Sequence, residues 1–150
     1  MIKKNIIQDY NKNGVVVLRD IVPKKWINIL KRGLKKNFQN PSKYKCVYER
    51  NNEKELFYDD YCNWNKIEEY KNFIFQSNIG KLAQELMQSK KVNVFHEHVL
   101  VKEIGSTKRT PWHQDQSYYC VNGKDNCSFW IPLDEVSKNS SPEFVIASNH

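Results

Sequence analysis

The chain has 150 residues, 39% of them hydrophobic and 13% aromatic, with a formal net charge of +7. That is enough chain and apolar content for a single domain over 1–150 with its own core, which excludes a disordered tail. No apolar run approaches the roughly 18–20 residues that span a bilayer, and "NII" near the N-terminus is far too short for a signal-peptide core, so a cytoplasmic protein with no membrane partner is expected.

In chain order, "NGVVVLRD" (13–20) is a β-branched run entered through Asn-Gly and predicts a strand. Pro23 then stands where a first helical residue belongs, with Trp26, Leu30, Leu34 and Phe38 at helical spacing and a stop near Asn40-Pro41. Residues 41–63 are polar and irregular, and the aromatic patch "LFYDDY" within them has no clear place. A helix is expected over 65–76. Ser77 can cap another running to about Ser89, with Ile79, Leu82, Ala83 and Leu86 inward.

The period then changes. "VNVFHEHVLVKE" (92–103) predicts a strand, and "STKRTP" a connecting loop. Residues 112–119 read as extended, "VNGKD" (121–125) as an Asn-Gly turn, and "CSFWIPL" (127–133) and "EFVIAS" (143–148) as strands. Helices in front and strands behind describe an α+β fold, without repeats, low-complexity segments or a linker.

Two features bear on partners. Cys46, Cys62, Cys120 and Cys127 show no C-x-x-C spacing, so unpaired thiols are expected rather than a zinc or redox site. Residues 1–50 carry 13 Lys/Arg against 3 Asp/Glu, a balance of +10. A basic stretch over residues 24–45 can serve an anion-binding module. Its lysines follow helix periodicity without interleaved glycine or aromatics, however, which describes a solvated helix face, and no nucleic-acid partner is expected.

The stretch that carries chemistry is "TPWHQDQSYY" (110–119). On an extended segment, residues two apart share a face, so His113 and Asp115 present an imidazole and a carboxylate side by side. With one more histidine this mixed donor set forms the facial triad of non-haem Fe(II) oxygenases. The opposing reading is a polar surface turn. Trp112, Trp130, Tyr118 and Tyr119 favour the ligand reading by placing apolar walls nearby, and Gln114 and Gln116 offer hydrogen bonds that orient ligands. A competing constellation is "HEHVLVKE", where His96, His98 and Glu103 resemble the metal motif of a cupin-like metalloprotein, without its flanking glycines.

The run from "FHEHVLVKEIGSTKRTPWHQDQSYYCVNG" through "CSFWIPLDEV" to "EFVIAS" resembles the phytanoyl-CoA dioxygenase family, and "NGVVVLRDIV" and "SNIGKLAQELMQS" extend the likeness upstream. The resemblance implies N-terminal helices packed on a double-stranded β-helix, a jelly roll, using Fe(II) with 2-oxoglutarate and O2 as small-molecule partners. His113 and Asp115 match the family's first two iron ligands. Trp130 matches a position lining the 2-oxoglutarate pocket, His98 and Lys102 lie where polar residues approach the cosubstrate, and Gln114 sits between the ligands. The implied activity is a dioxygenase hydroxylating a C–H bond of a small or acyl-type substrate. The family's third ligand, a downstream histidine, and its 2-oxoglutarate-binding arginine have no counterpart here. His150, in "ASNH", does not match that ligand. The chain is therefore expected to be the N-terminal part of the fold, ending after the first half of the barrel.

Overall fold

The structure, a computed structural model, describes residues 1–50, 53–103, 109–123 and 125–148. Among the described residues, four α-helices and a three-stranded antiparallel sheet make it an α+β fold. The first helix, α1 (Lys4–Asn13), lies where no element is predicted. Asn13-Gly14, taken from sequence as the entry to a strand, is the end of this helix. Gly14 adopts φ 75° and its N–H bonds to the carbonyl of Tyr10 at 2.8 Å, the left-handed cap that glycine provides without a Cβ penalty. "VVVL" beyond it has strand propensity but joins no ladder. Propensity alone does not make a strand when no edge is offered.

The helix α2 (Lys24–Gln39) has Pro23 as its N-cap. Its buried face is Trp26, Gly33 and Asn37, while Leu30 and Leu34 are half-buried and Phe38 is exposed. Trp26 meets Phe73 of α3 (Glu68–Gln76) edge-on, with ring centroids 5.8 Å apart. Gly33 faces Tyr70 of the same helix so closely that a Cβ would stand 2.6 Å from the ring. The helix α4 (Ile79–Leu86) buries Leu82 and Leu86, and the Ser77 hydroxyl accepts the Ile79 N–H at 3.2 Å.

The unplaced "LFYDDY" belongs to the central strand. β1 (Cys46–Arg50) pairs with β2 (Glu53–Tyr61), and β2 pairs with β3 (His98–Lys102), both antiparallel. Alternation turns Tyr58 and Asp60 of β2 toward the helices, both buried, while Phe57, Asp59 and Tyr61 take the other face. The registers Asp59↔Leu100 and Tyr61↔His98 set the histidine of β3 beside β2.

From residue 109 on, no strand is present among the described residues. Residues 112–119, expected to be extended, contain a 3-10 turn, Asp115–Tyr118. The expected strands over 127–133 and 143–148 join no ladder, and 92–97 of the expected 92–103 strand precede β3 outside the ladder, the Glu97 carbonyl accepting the Cys62 N–H at 3.3 Å. Lys124 of the predicted turn, and residues 106–108 of the predicted loop, lie outside the described residues. The segment is tied back at separate points: the Ala147 N–H to the Asn13 carbonyl at 2.9 Å, and Lys31 to Asp134 at 2.7 Å.

Candidate metal centre

Beneath β2 lies a buried polar cluster that fixes the sheet on α2. Asp60 has no exposed surface. It accepts hydrogen bonds from Asn37 Nδ2 at 2.7 Å, from the backbone and hydroxyl of Ser42, from Tyr58 Oη at 3.2 Å and from the Tyr61 N–H at 2.9 Å. Burial by itself raises a carboxyl pKa, but the bonds from Ser42, Asn37 and Tyr58 outweigh it and hold Asp60 below the usual range. Tyr58 moves the other way, pushed up to about 12 by burial and by the Asp60 charge. Asn63 extends the cluster through Nδ2 to the Asn40 carbonyl at 2.9 Å and through its N–H to Glu97. Glu97 is raised above the normal carboxylate range, mainly by burial, and among the described residues its Oε2 has no hydrogen-bond partner, like Tyr70 Oη.

Above this base, the sequence-predicted residues fall into two groups. His98 Nε2 is paired with Asp59 Oδ1 across the β2–β3 register. Lys102, at the far end of β3, stands 5.0 Å over the ring of Phe57. His96 and His98 have ring centroids 6.2 Å apart, and His96 Nδ1 contacts the Glu97 carbonyl. Glu103 is exposed. Among the described residues no three His, Cys, Asp or Glu side chains gather at metal-holding distance, so His96, His98 and Glu103 are not assembled into a ligand set.

His113 and Asp115 are brought together. The 3-10 turn beginning at Asp115 folds its carboxylate back toward the imidazole, leaving His113 Nε2 3.2 Å from Asp115 Oδ1. His113 Nδ1 lies 2.7 Å from the Pro111 carbonyl. A carbonyl only accepts, so Nδ1 donates its proton there, and Nε2, the atom facing the carboxylate, is the one that would offer a lone pair to a metal. Two lone-pair atoms so placed are the natural grip for a shared cation. Donors about 2.1 Å from one metal and at right angles to each other would stand about 3.0 Å apart, close to the observed separation. The pair therefore fits a mononuclear metal as two of its ligands. His150, the remaining histidine C-terminal to Asp115, lies outside the described residues.

Sequence reasoning did not find what holds the carboxylate. Tyr119 Oη and Ser128 Oγ approach Asp115 Oδ2 at 3.3 and 3.4 Å, and each other at 3.2 Å. Burial and the Asp115 charge raise the Tyr119 phenol, against a hydrogen bond with Ser128 that lowers it. Ser128 lies inside "CSFWIPL", where strand propensity drew attention to its apolar neighbours. The Gln114 amide donates to the Ser148 carbonyl at 2.7 Å, tying the turn to the C-terminal segment. Trp130 and Trp112 are half or more exposed. The basic helix α2 spends part of its charge locally, in Lys31–Asp134 and Lys36–Glu69 pairs.

Fold and donor pair together define an α+β protein with an imidazole–carboxylate grip on a short turn. The family model for phytanoyl-CoA dioxygenase (PhyH) matches residues 10–150, and the chain belongs to that family. Members generally use Fe(II) and 2-oxoglutarate, and membership points to a dioxygenase-type enzyme. No curated protein and no solved structure matches the chain. No helix among the described residues is long and apolar enough to cross a membrane.

Proposed function

We propose that the chain supplies His113 and Asp115 as two ligands of a single Fe(II) and acts as a 2-oxoglutarate-dependent dioxygenase hydroxylating a C–H bond of a small or acyl-type substrate. The observation that carries this reading is the 3.2 Å approach of His113 Nε2 to Asp115 Oδ1, with the Nδ1 proton already committed to Pro111. Iron, when bound, would supply the oxidation of the unactivated bond. The protein's own part is orientation. His113 and Asp115 would hold the metal as two of its ligands, and cosubstrate and O2 would take others.

Trp130 is proposed to flank the 2-oxoglutarate site, and Lys102 and His98 to lie on its polar side at β3. The Asp59 carboxylate against His98 Nε2 fixes the orientation of that ring on β3. Gln114 steadies the turn between the ligands through Ser148. The three-stranded sheet and the segment after it are read as part of a double-stranded β-helix. Succinate formation from 2-oxoglutarate and equilibrium Fe(II) binding test this together. His113→Ala and Asp115→Ala should each lower metal affinity at least tenfold and abolish turnover. Undiminished iron binding in both variants would remove the reading.

A further inference from the structure

We infer that Tyr119 and Ser128 are positioning residues for the metal carboxylate, holding Asp115 Oδ2 so that Oδ1 faces His113; this rests on His113 and Asp115 being metal ligands. The Asp115 side chain is 53% exposed, and the terminal torsion of an aspartate is broad. Left alone, such a carboxylate turns its oxygens freely and meets a metal in the right orientation only part of the time.

Two hydroxyls from different parts of the chain close on the same oxygen. Tyr119 reaches Oδ2 from the end of the 3-10 turn at 3.3 Å, and Ser128 from nine residues further on at 3.4 Å. Each hydroxyl has one proton. Whether both donate to Oδ2 or one donates through the other across their 3.2 Å contact, Oδ2 is engaged and Oδ1 is left for the cation. Tyr119 is itself anchored. Its ring meets Phe95 edge-on at 5.0 Å and His96 at 5.7 Å, immediately before β3. The orientation of Asp115 is thereby referred back to the sheet.

The contacts on Oδ2 are long and exposed, so they add little to folding stability. Their value is in binding, where groups that orient a ligand typically matter by 10–100-fold in metal affinity. The experiment is a Co(II) titration followed by d–d absorption, with thermal unfolding of the metal-free proteins alongside. Tyr119→Phe keeps the ring and removes the hydroxyl; Ser128→Ala removes the other; Ser128→Thr restores it. Expected are a roughly tenfold loss of affinity in each removal, a loss approaching ~100-fold in the double variant, an altered Co(II) spectrum, and recovery in Ser128→Thr. Metal-free unfolding of Ser128→Ala should match the parent. Parent-like affinity and spectra in Ser128→Ala and Tyr119→Phe would overturn the inference. Failure of the parent protein to bind Co(II), with His113→Ala no different, would instead overturn the ligand assignment beneath it.

Discussion

Among the described residues no cation pairs with the buried carboxylate of Asp60, which is carried by donors from Asn37, Ser42, Tyr58 and Tyr61. Replacing it by Asn sets an NH2 against those donors and should destabilise the protein by about 3 kcal/mol. Chemical denaturation would measure this. Because the folded pKa lies below the unfolded one, near 3.9, Asp60 contributes stability above that value and loses it as pH falls through the depressed folded value. Asp60→Asn should accordingly differ most from the parent at neutral pH and converge with it in acid. Glu97 has the opposite sign. Its raised pKa means that the charged form opposes folding, so Glu97 is least unfavourable below the unfolded value and its penalty grows as pH rises through the folded one. Glu97→Gln keeps an acceptor for Asn63 and removes the buried charge. It should stabilise the protein by roughly 1 kcal/mol at pH 7, a gain that fades toward pH 4. A constant difference across that range would contradict the assignment.

At the scale of elements, the tightest junction is α2 on α3. Gly33→Ala gains about 1 kcal/mol of helix propensity, but its Cβ would press to 2.6 Å against the ring of buried Tyr70. Overpacking of this kind costs about 1–3 kcal/mol, and more where neighbours cannot give. The loss should win, with Gly33→Ala less stable by about 1–2 kcal/mol in a denaturant titration. Both helices were legible in the sequence, α2 from Trp26, Leu30 and Leu34 at helical spacing, although Phe38 of the same series is exposed. β1 and β2 were not. Asp60 occupies an inward position of β2, so the alternation that marks a half-buried strand is broken where the strand is most buried. Its hydrogen-bond donors, from α2, the loop after it and β2 itself, make that carboxylate tolerable. Asn13-Gly14 misled for a local reason: one dipeptide serves both hairpin turns and helix caps, and the choice depends on the helix before it. At the candidate site, the His113–Asp115 spacing announced itself, but through a turn rather than an extended segment. The hydroxyl of Ser128, thirteen residues from Asp115, carried no periodic signal.

Over the whole molecule, two levels of organisation follow. Residues 24–103 bury Trp26, Tyr58, Ile67, Tyr70, Phe73, Leu82 and Leu86 around the α2–α3–α4 layer and β2. The described residues of 109–148 contribute nothing to that core and no strand, and Trp112, Tyr118, Trp130, Phe144, Val145 and Ile146 stay exposed. Few buried apolar contacts and solvent-exposed hydrogen bonds characterise segments that open well below the global unfolding free energy. Amide hydrogen exchange should therefore be slow in α2, α3 and β2 and fast through 109–148. The candidate metal lies in the fast region. A cation held by His113 and Asp115 would bind only the closed turn, adding about 2.7 kcal/mol of protection at a free concentration one hundred times its dissociation constant. Exchange should then slow selectively at residues 112–119, and at Ser128 through its hydroxyl, while the core is unchanged. His113→Ala should show the same exchange with and without metal. Slowing confined to the basic helix α2, or spread evenly over the protein, would place the cation elsewhere.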